Sequence, residues 1–297
     1  MKSLNRHLIR VLPIVAAAAL LGPSVEVQAG LIIHATFVGG DAPSDMAGGG
    51  NLIDIFDAAA SFWEAAFTDP KDHWVVNIQY QWGPVNGNGQ FRTTAQGGDP
   101  HRIESGTITF DNSGRTPFFA DPTPRDNSEY TQYTQGHFDT PEGPLIISRV
   151  YSGATGDAAG RVDLLSIAEH ELGHALGLSL DNTGASSPII VTAPLPFAGV
   201  MIPSVGTDHL DIVGALMGLI QLPGDRYLIS PVDVLAEAQI SQFGDPNLNP
   251  YSVPEPDSLA LLSIGLVALA AWRVFRYGRS RPVAWVSSMF DSPWGAS

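Results

Sequence analysis

The stretch AEHELGHALG, residues 168–177, constrains the fold more than any other. His170 and His174 are four apart, so on a helix they lie about one turn apart on one face and can point at a single ion. Ser166 and Glu169 have capping-box spacing, and Gly177 stands where a helix commonly stops. The spacing therefore predicts a helix from Asp163 or Ser166 to Leu178, with Glu171 beside the histidine face. The chain has no cysteine, so any metal must rest on His, Asp or Glu, and neither disulfides nor thiolate ligands are available.

The chain has 297 residues and is 44% hydrophobic, enough for one substantial globular domain with extra segments. Charge divides it into parts. Residues 30–250 hold 26 Asp and Glu against 8 Lys and Arg, while both ends are basic. A middle this acidic repels nucleic acid and anionic lipid, which argues against a DNA- or RNA-binding role.

The ends read as addresses. Lys2, Arg6 and Arg10 precede the apolar run VLPIVAAAALL and the small-residue site VQA ending at Ala29. This is the layout of a secretory signal peptide, residues 1–29, cleaved before Gly30; the run is too short to span a bilayer as an anchor. At the other end, Pro254, Glu255 and Pro256 are followed by the uncharged residues 259–272 and by Arg273, Arg276, Arg279 and Arg281. Counted on to Phe275, the apolar segment reaches spanning length if Arg273 snorkels to the interface, and the arginines form a cytoplasmic stop.

Residues 251–281 resemble the PEP-CTERM sorting signal, with 282–297 as a short further tail. The resemblance implies an exported Gram-negative bacterial protein at the cell envelope or extracellular surface. It also implies that the protein is held in the membrane by the C-terminal helix until an exosortase-type enzyme processes it. The alternative is a plain C-terminal membrane anchor.

Between these ends, residues 30–250 form the foldable domain. LIIHATFV, WVVNIQYQW, RIESGTITF and PLIISRV read as strands. Asn51 is placed to cap a helix whose apolar face carries Leu52, Ile55, Phe56, Ala59, Phe62, Trp63 and Phe67. Residues 112–136, rich in Pro, Asp, Ser and Thr, read as a surface loop, and TDHLDIVGALMGL as a second helix. Alternating strands and helices followed by helix and loop indicate an α/β domain.

The flanking VDLLSIAEHELGHALGL resembles the active-site helix of matrixin-like metzincin metallopeptidases, including Gly173 and Gly177. Downstream, AGVMIPS resembles the Met-turn of that family and DHLDIVGALMG the helix after it. The resemblance implies a mixed twisted sheet with active-site helix, Met-turn and C-terminal helix, and Met201 under a metal. It implies Zn2+ on His170 and His174, with Glu171 as the general base of a hydrolase acting on protein or peptide. By the same analogy PLIISRV is the edge strand along which a substrate lies extended.

The third ligand departs from the family pattern, because Leu180 stands at the expected position and cannot bind zinc. Asp181 follows it, and one extra residue in the turn after Gly177 could bring its carboxylate to the ion. Alternatives are His209, an unidentified upstream group, or a two-histidine site. His34, His73, His101 and His137 lack paired spacing. Ile202 leaves no tyrosine directly after Met201, and whether Tyr227 substitutes stays open. GPVNGNGQ and GDAAGRVD carry oxygen donors that could hold Ca2+, although turn chemistry alone explains both. Two functions follow: an exported zinc endopeptidase, or a non-catalytic surface or matrix binding protein on a degenerate peptidase fold.

Overall fold

A computed structural model describes residues 30–251, apart from 70, 100, 183–185 and 193–196. The expected signal peptide and the apolar C-terminal segment lie outside the described residues, among which no helix is long and apolar enough to cross a membrane.

The first half builds a four-stranded sheet backed by helices. Its strands are β1 (Leu31–Gly39), β2 (Trp74–Gly83), β3 (Gly89–Gly97) and β4 (Arg102–Asp111), in the order β1-β2-β4-β3. β1, β2 and β4 run parallel, while β3 returns antiparallel to β4 and forms the edge. β3 has no counterpart among the strands expected from sequence. Its residues GQFRTTAQG are mostly small and polar, and their inward side chains are only half-buried, so no clean apolar alternation marks them.

β2 shows why the sheet has one dry face: Val76, Ile78, Tyr80 and Trp82 are buried, while Val75, Asn77 and Gln79 are exposed. Helix α1 (Leu52–Ala66) packs against the dry face. Asn51 caps it through Oδ1, which accepts from Asp54 N at 3.0 Å, and all seven apolar residues of its expected face are buried. Phe56 stacks on Tyr80 with ring centroids 3.9 Å apart. The fully buried Trp63 donates its indole N–H to the carbonyl of Glu169 at 2.8 Å, joining α1 to helix α2 (Leu164–Leu176).

The segment 112–136 is not wholly loop. Phe118 and Phe119 form β5, which pairs parallel with β8 (Val162–Asp163). β6 (Tyr130–Thr140) begins inside the segment and makes a hairpin with β7 (Gly143–Ala154). Turn-rich composition hid Phe118 and Phe119, whose aromatic rings are buried in the core.

The second half winds through short strands: β9 (Ile189–Ile190), β10 (Met201–Ile202), β11 (Ser204–Val205), β12 (His209–Leu210) and β13 (Arg226–Tyr227). β7 pairs with β6 along its length and with β13 at Val150 and Tyr151, so the end of PLIISRV lies between two strands, while the rest of it pairs with β6 alone among the described residues. The expected helix over TDHLDIVGALMGL is instead β12 followed by turns. Gly214 has φ +84°, outside the helical region, and Leu210 N donates to Met217 O at 2.8 Å, closing the segment on itself. The helix lies later, as α3 (Pro231–Ser241), where Pro231 occupies the first turn and Ser230 with Asp233 makes a capping box. A second apolar core, including Leu178, Ile202, Leu210, Met217, Val232 and Leu235, joins these turns to α3.

Candidate metal centre

α2 starts one residue later than the first of its two expected start points. Its cap is Asp163, whose Oδ1 accepts from Ser166 N at 2.9 Å and Ser166 Oγ at 2.8 Å. Ser166 and Glu169 therefore sit inside the helix, and Glu169 is fully buried. Asp163 Oδ2 meets the buried Arg226 at 2.8 Å, and Arg226 also meets Asp121 at 2.6 Å. Tyr130 Oη donates to the same Asp163 oxygen at 3.0 Å. Burial opposes charge on Arg226, but Asp163 and Asp121 outweigh it and raise its pKa. This knot of charges fixes the start of the histidine helix.

One turn on, His170 and His174 point into a cavity of about 690 Å³. β3 supplies one wall from Gly89 to Arg92. A Cβ on Gly89 would lie 2.7 Å from Glu171 Oε1, so a glycine is needed for the strand to run this close to the helix. Leu180, Asp181, Asp208, His209 and Leu219 line the other side.

The third member of the group is His209. Ligating atoms of His170, His174 and His209 lie within 4.8 Å of one another. Asp181 lines the cavity but is exposed and stands outside that group. Its turn is drawn toward β3: Gln96 Nε2 donates to Asp181 O at 2.8 Å, and Asn182 Nδ2 holds Gly177 O at 3.0 Å. The extra residue after Gly177 thus ends facing the edge strand, and Leu180 is 73% exposed. His209 enters from β12, 35 residues after His174 in sequence, where no spacing rule on one helix could find it. The readable signal was Asp208, since a carboxylate beside an imidazole is a usual orienting partner of a ligand histidine.

The protons are arranged consistently. His170 Nδ1 lies 2.8 Å from Leu216 O and His174 Nδ1 lies 2.5 Å from Leu178 O. A carbonyl only accepts, so both rings are assigned as Nδ1–H tautomers with a bare Nε2. His209 Nδ1 lies 3.1 Å from Asp208 Oδ2, which leaves its Nε2 free as well. The two bare nitrogens of His170 and His174 are 3.1 Å apart, with no proton to place between them. Two lone pairs at that distance repel unless a cation lies between them. Zinc bound at about 2.1 Å in tetrahedral geometry needs two ligand nitrogens about 3.4 Å apart, close to the spacing found, so the donor set fits.

Electrostatics agree with a cation-ready pocket. Burial, followed by the neighbouring His174, pushes the pKa of His170 well below the usual histidine range, and burial lowers that of His174 to about 4. Both imidazoles are thus neutral and ligand-competent at neutral pH. Burial pushes the Glu171 carboxyl up to about 8, against a backbone hydrogen bond from Phe91 that lowers it. Glu171 Oε2 has no hydrogen-bond partner.

The methionine beneath this group is Met217. It is fully buried, and a Cβ on Gly173 would run into its Sδ. Met201, expected there, is 60% exposed on β10, because the turn that returns under the helix is GALMG and not AGVMIPS. That turn is held by Asp233 at the start of α3, whose carboxylate accepts from Leu216 N at 3.3 Å and Met217 N at 3.0 Å. Tyr227 is buried with its hydroxyl accepting from Leu222 N at 3.2 Å, and does not line the cavity. Of the oxygen donors considered for calcium, Asp163 is spent on Arg226, Tyr130 and Ser166, and Asn88 Oδ1 accepts from Thr116.

Comparison with known proteins matches one segment of the chain, residues 252–276, to the PEP-CTERM protein-sorting motif. No curated protein and no solved structure matches the chain. Residues 252–276 are thus a PEP-CTERM sorting motif, which marks proteins exported through the Gram-negative envelope for recognition by an exosortase-type sorting enzyme.

Proposed function

We propose that the protein is an exported zinc-dependent endopeptidase of metzincin-like type, with His170, His174 and His209 as ligands and Glu171 as general base. The observation that carries this reading is the convergence of three imidazoles whose Nδ1 atoms each face an oxygen, beside a buried glutamate with one unpartnered oxygen. His170, His174 and His209 would hold the zinc, which would supply Lewis acidity for acidifying a water and polarising a carbonyl. Glu171, on the cavity wall next to His170, takes the proton of the attacking water and passes it to the leaving amine. Leu216 O, Leu178 O and Asp208 hold the three rings in the ligating tautomer. A degenerate binding protein would have no use for both a complete nitrogen set and a general base in the same cavity.

The test is zinc content and casein cleavage by the purified protein beside three variants. We expect one zinc in the parent, loss of zinc in His209→Ala, zinc retained in Asp181→Ala, and zinc retained without cleavage in Glu171→Ala. A parent that binds no zinc sinks the reading. Zinc lost in Asp181→Ala but kept in His209→Ala would restore Asp181 as the third ligand.

A further inference from the structure

α3 carries two acids that face the core and not water. Asp233 and Glu237 are four apart, so they lie about one turn apart on one face of the helix, and both are fully buried. Asp233 serves the turn whose Leu216 carbonyl meets His170 Nδ1. Glu237 makes the corresponding contact for the other histidine of α2. Its Oε2 accepts from Leu178 N at 3.2 Å, and Leu178 O is the acceptor that faces His174 Nδ1 at 2.5 Å. Leu178 lies beyond Gly177, the residue that caps α2, so its backbone has left the helical ladder. Gly177 N returns to Gly173 O and Ser179 N to Gly177 O, while the partner that fixes Leu178 N is Glu237. The two helices meet closely here: a Cβ on Gly177 would lie 2.9 Å from Glu237 Oε2 and 2.7 Å from Ser241 Oγ.

We propose that Glu237 is a positioning residue of the metal centre: it fixes the carbonyl of Leu178, and through that carbonyl the tautomer and orientation of His174. The proposal rests on the reading of His170, His174 and His209 as zinc ligands. A packing role alone does not account for the residue. Glu237 Oε1 has no hydrogen-bond partner, so the side chain buries a polar atom that an apolar residue of the same size would spare the fold. Such local costs gather at functional sites. Burial pushes the Glu237 carboxyl well above the usual range, against the Leu178 hydrogen bond that lowers it and with Asp233 raising it further. The side chain is therefore neutral at neutral pH, and a neutral acid still offers Leu178 N a carbonyl oxygen. Neutrality also suits its place at the C-terminal end of α2, where the helix dipole disfavours an anion.

The full-length chain in detergent tests this through zinc affinity, by competition with a chromogenic chelator, and through the nitrogen NMR spectrum of the histidine side chains in the metal-free protein at neutral pH. Glu237→Gln keeps an oxygen that accepts from Leu178 N, whereas Glu237→Met fills the space without an acceptor. Ser241→Ala is the packing control, since it removes the contact of Ser241 Oγ with Leu176 O between the same two helices. We expect Glu237→Met to bind zinc about 10- to 100-fold more weakly, and Glu237→Gln and Ser241→Ala to match the parent. In the spectrum, the His174 proton should sit on Nδ1 in the parent and in Glu237→Gln, and divide between the two ring nitrogens in Glu237→Met. Because the tautomer is read without metal, a parent that binds no zinc sinks the peptidase reading alone. A parent whose His174 carries its proton on Nε2 overturns the proposal, whether or not Glu237→Met folds. So does a folded Glu237→Met whose His174 tautomer matches the parent's, or a Glu237→Gln or Ser241→Ala that weakens zinc as much as Glu237→Met does.

Discussion

Replacing Glu171 with Gln should stabilise the metal-free protein at neutral pH while abolishing cleavage by the zinc-loaded form. Glu171 is 5% exposed and burial pushes its pKa up to about 8, against an ordinary value of 4.5. Below pH 4.5 the carboxyl is protonated whether the chain is folded or not, and it costs nothing. Between pH 4.5 and 8 the unfolded chain releases the proton and the folded chain retains it, so stability falls as pH rises. Integrated to pH 7, the loss is about 3 kcal/mol, and above pH 8 it levels off near 5 kcal/mol. Glutamine does not titrate, so this pH dependence disappears in Glu171→Gln. Urea unfolding of both proteins with chelator present, from pH 4.5 to 8.5, measures it. The histidines titrate in both proteins and cancel in the difference, and any constant offset from the new amide leaves the slope untouched. A stability difference that is flat with pH, or that grows in favour of the parent, refutes the argument that this carboxyl is held protonated by burial.

Three further outcomes follow from the contacts around the cavity. Asp233→Asn removes the anion that gathers Leu216 N and Met217 N, and so disturbs the turn holding His170 Nδ1; zinc affinity by competition with a chromogenic chelator should fall about 10- to 100-fold. Asp208→Asn should weaken zinc by a similar factor of about 10 to 100 in the same assay, because it discharges the partner of His209 Nδ1. Arg226→Met strands Asp121 and Asp163 without their cation in the core, and chemical denaturation should show a loss of about 3–5 kcal/mol.

α1, α2 and the parallel strands β1, β2 and β4 were legible in the sequence because their signals are local. α1 announces itself through Asn51 and an apolar stripe, and β2 through strict alternation. β3, one of the two edge strands of the first sheet, was not legible: part of it lines the cavity and its residues are mostly small and polar, so the alternation that reveals strands is missing. The helix expected at 207–219 failed for a related reason. Its apolar residues are spaced as on a helix, yet Gly214 at positive φ bends them into a turn whose Leu216 carbonyl and Met217 side chain serve α2. Ser230-Pro-Val-Asp233 did carry the start signal of α3, a capping box with proline in the first turn.

The third histidine of the cluster shows where sequence spacing stops being informative. Two histidines on one helix are fixed by its period, so their geometry can be read directly. A ligand from elsewhere in the chain depends on tertiary contacts, and here those contacts form a closed circuit. Asp233 holds Leu216 and Met217; Leu216 O holds His170; Met217 O accepts from Leu210 N, the neighbour of His209; and Met217 itself fills the space that Gly173 leaves open on α2. β11 adds to these links, because Val205 pairs with His209, Ser204 pairs with Leu210, and Asp211 N donates to Pro203 O at 2.9 Å, so the position of His209 relative to His170 is set jointly by α3, the turn before it and β11.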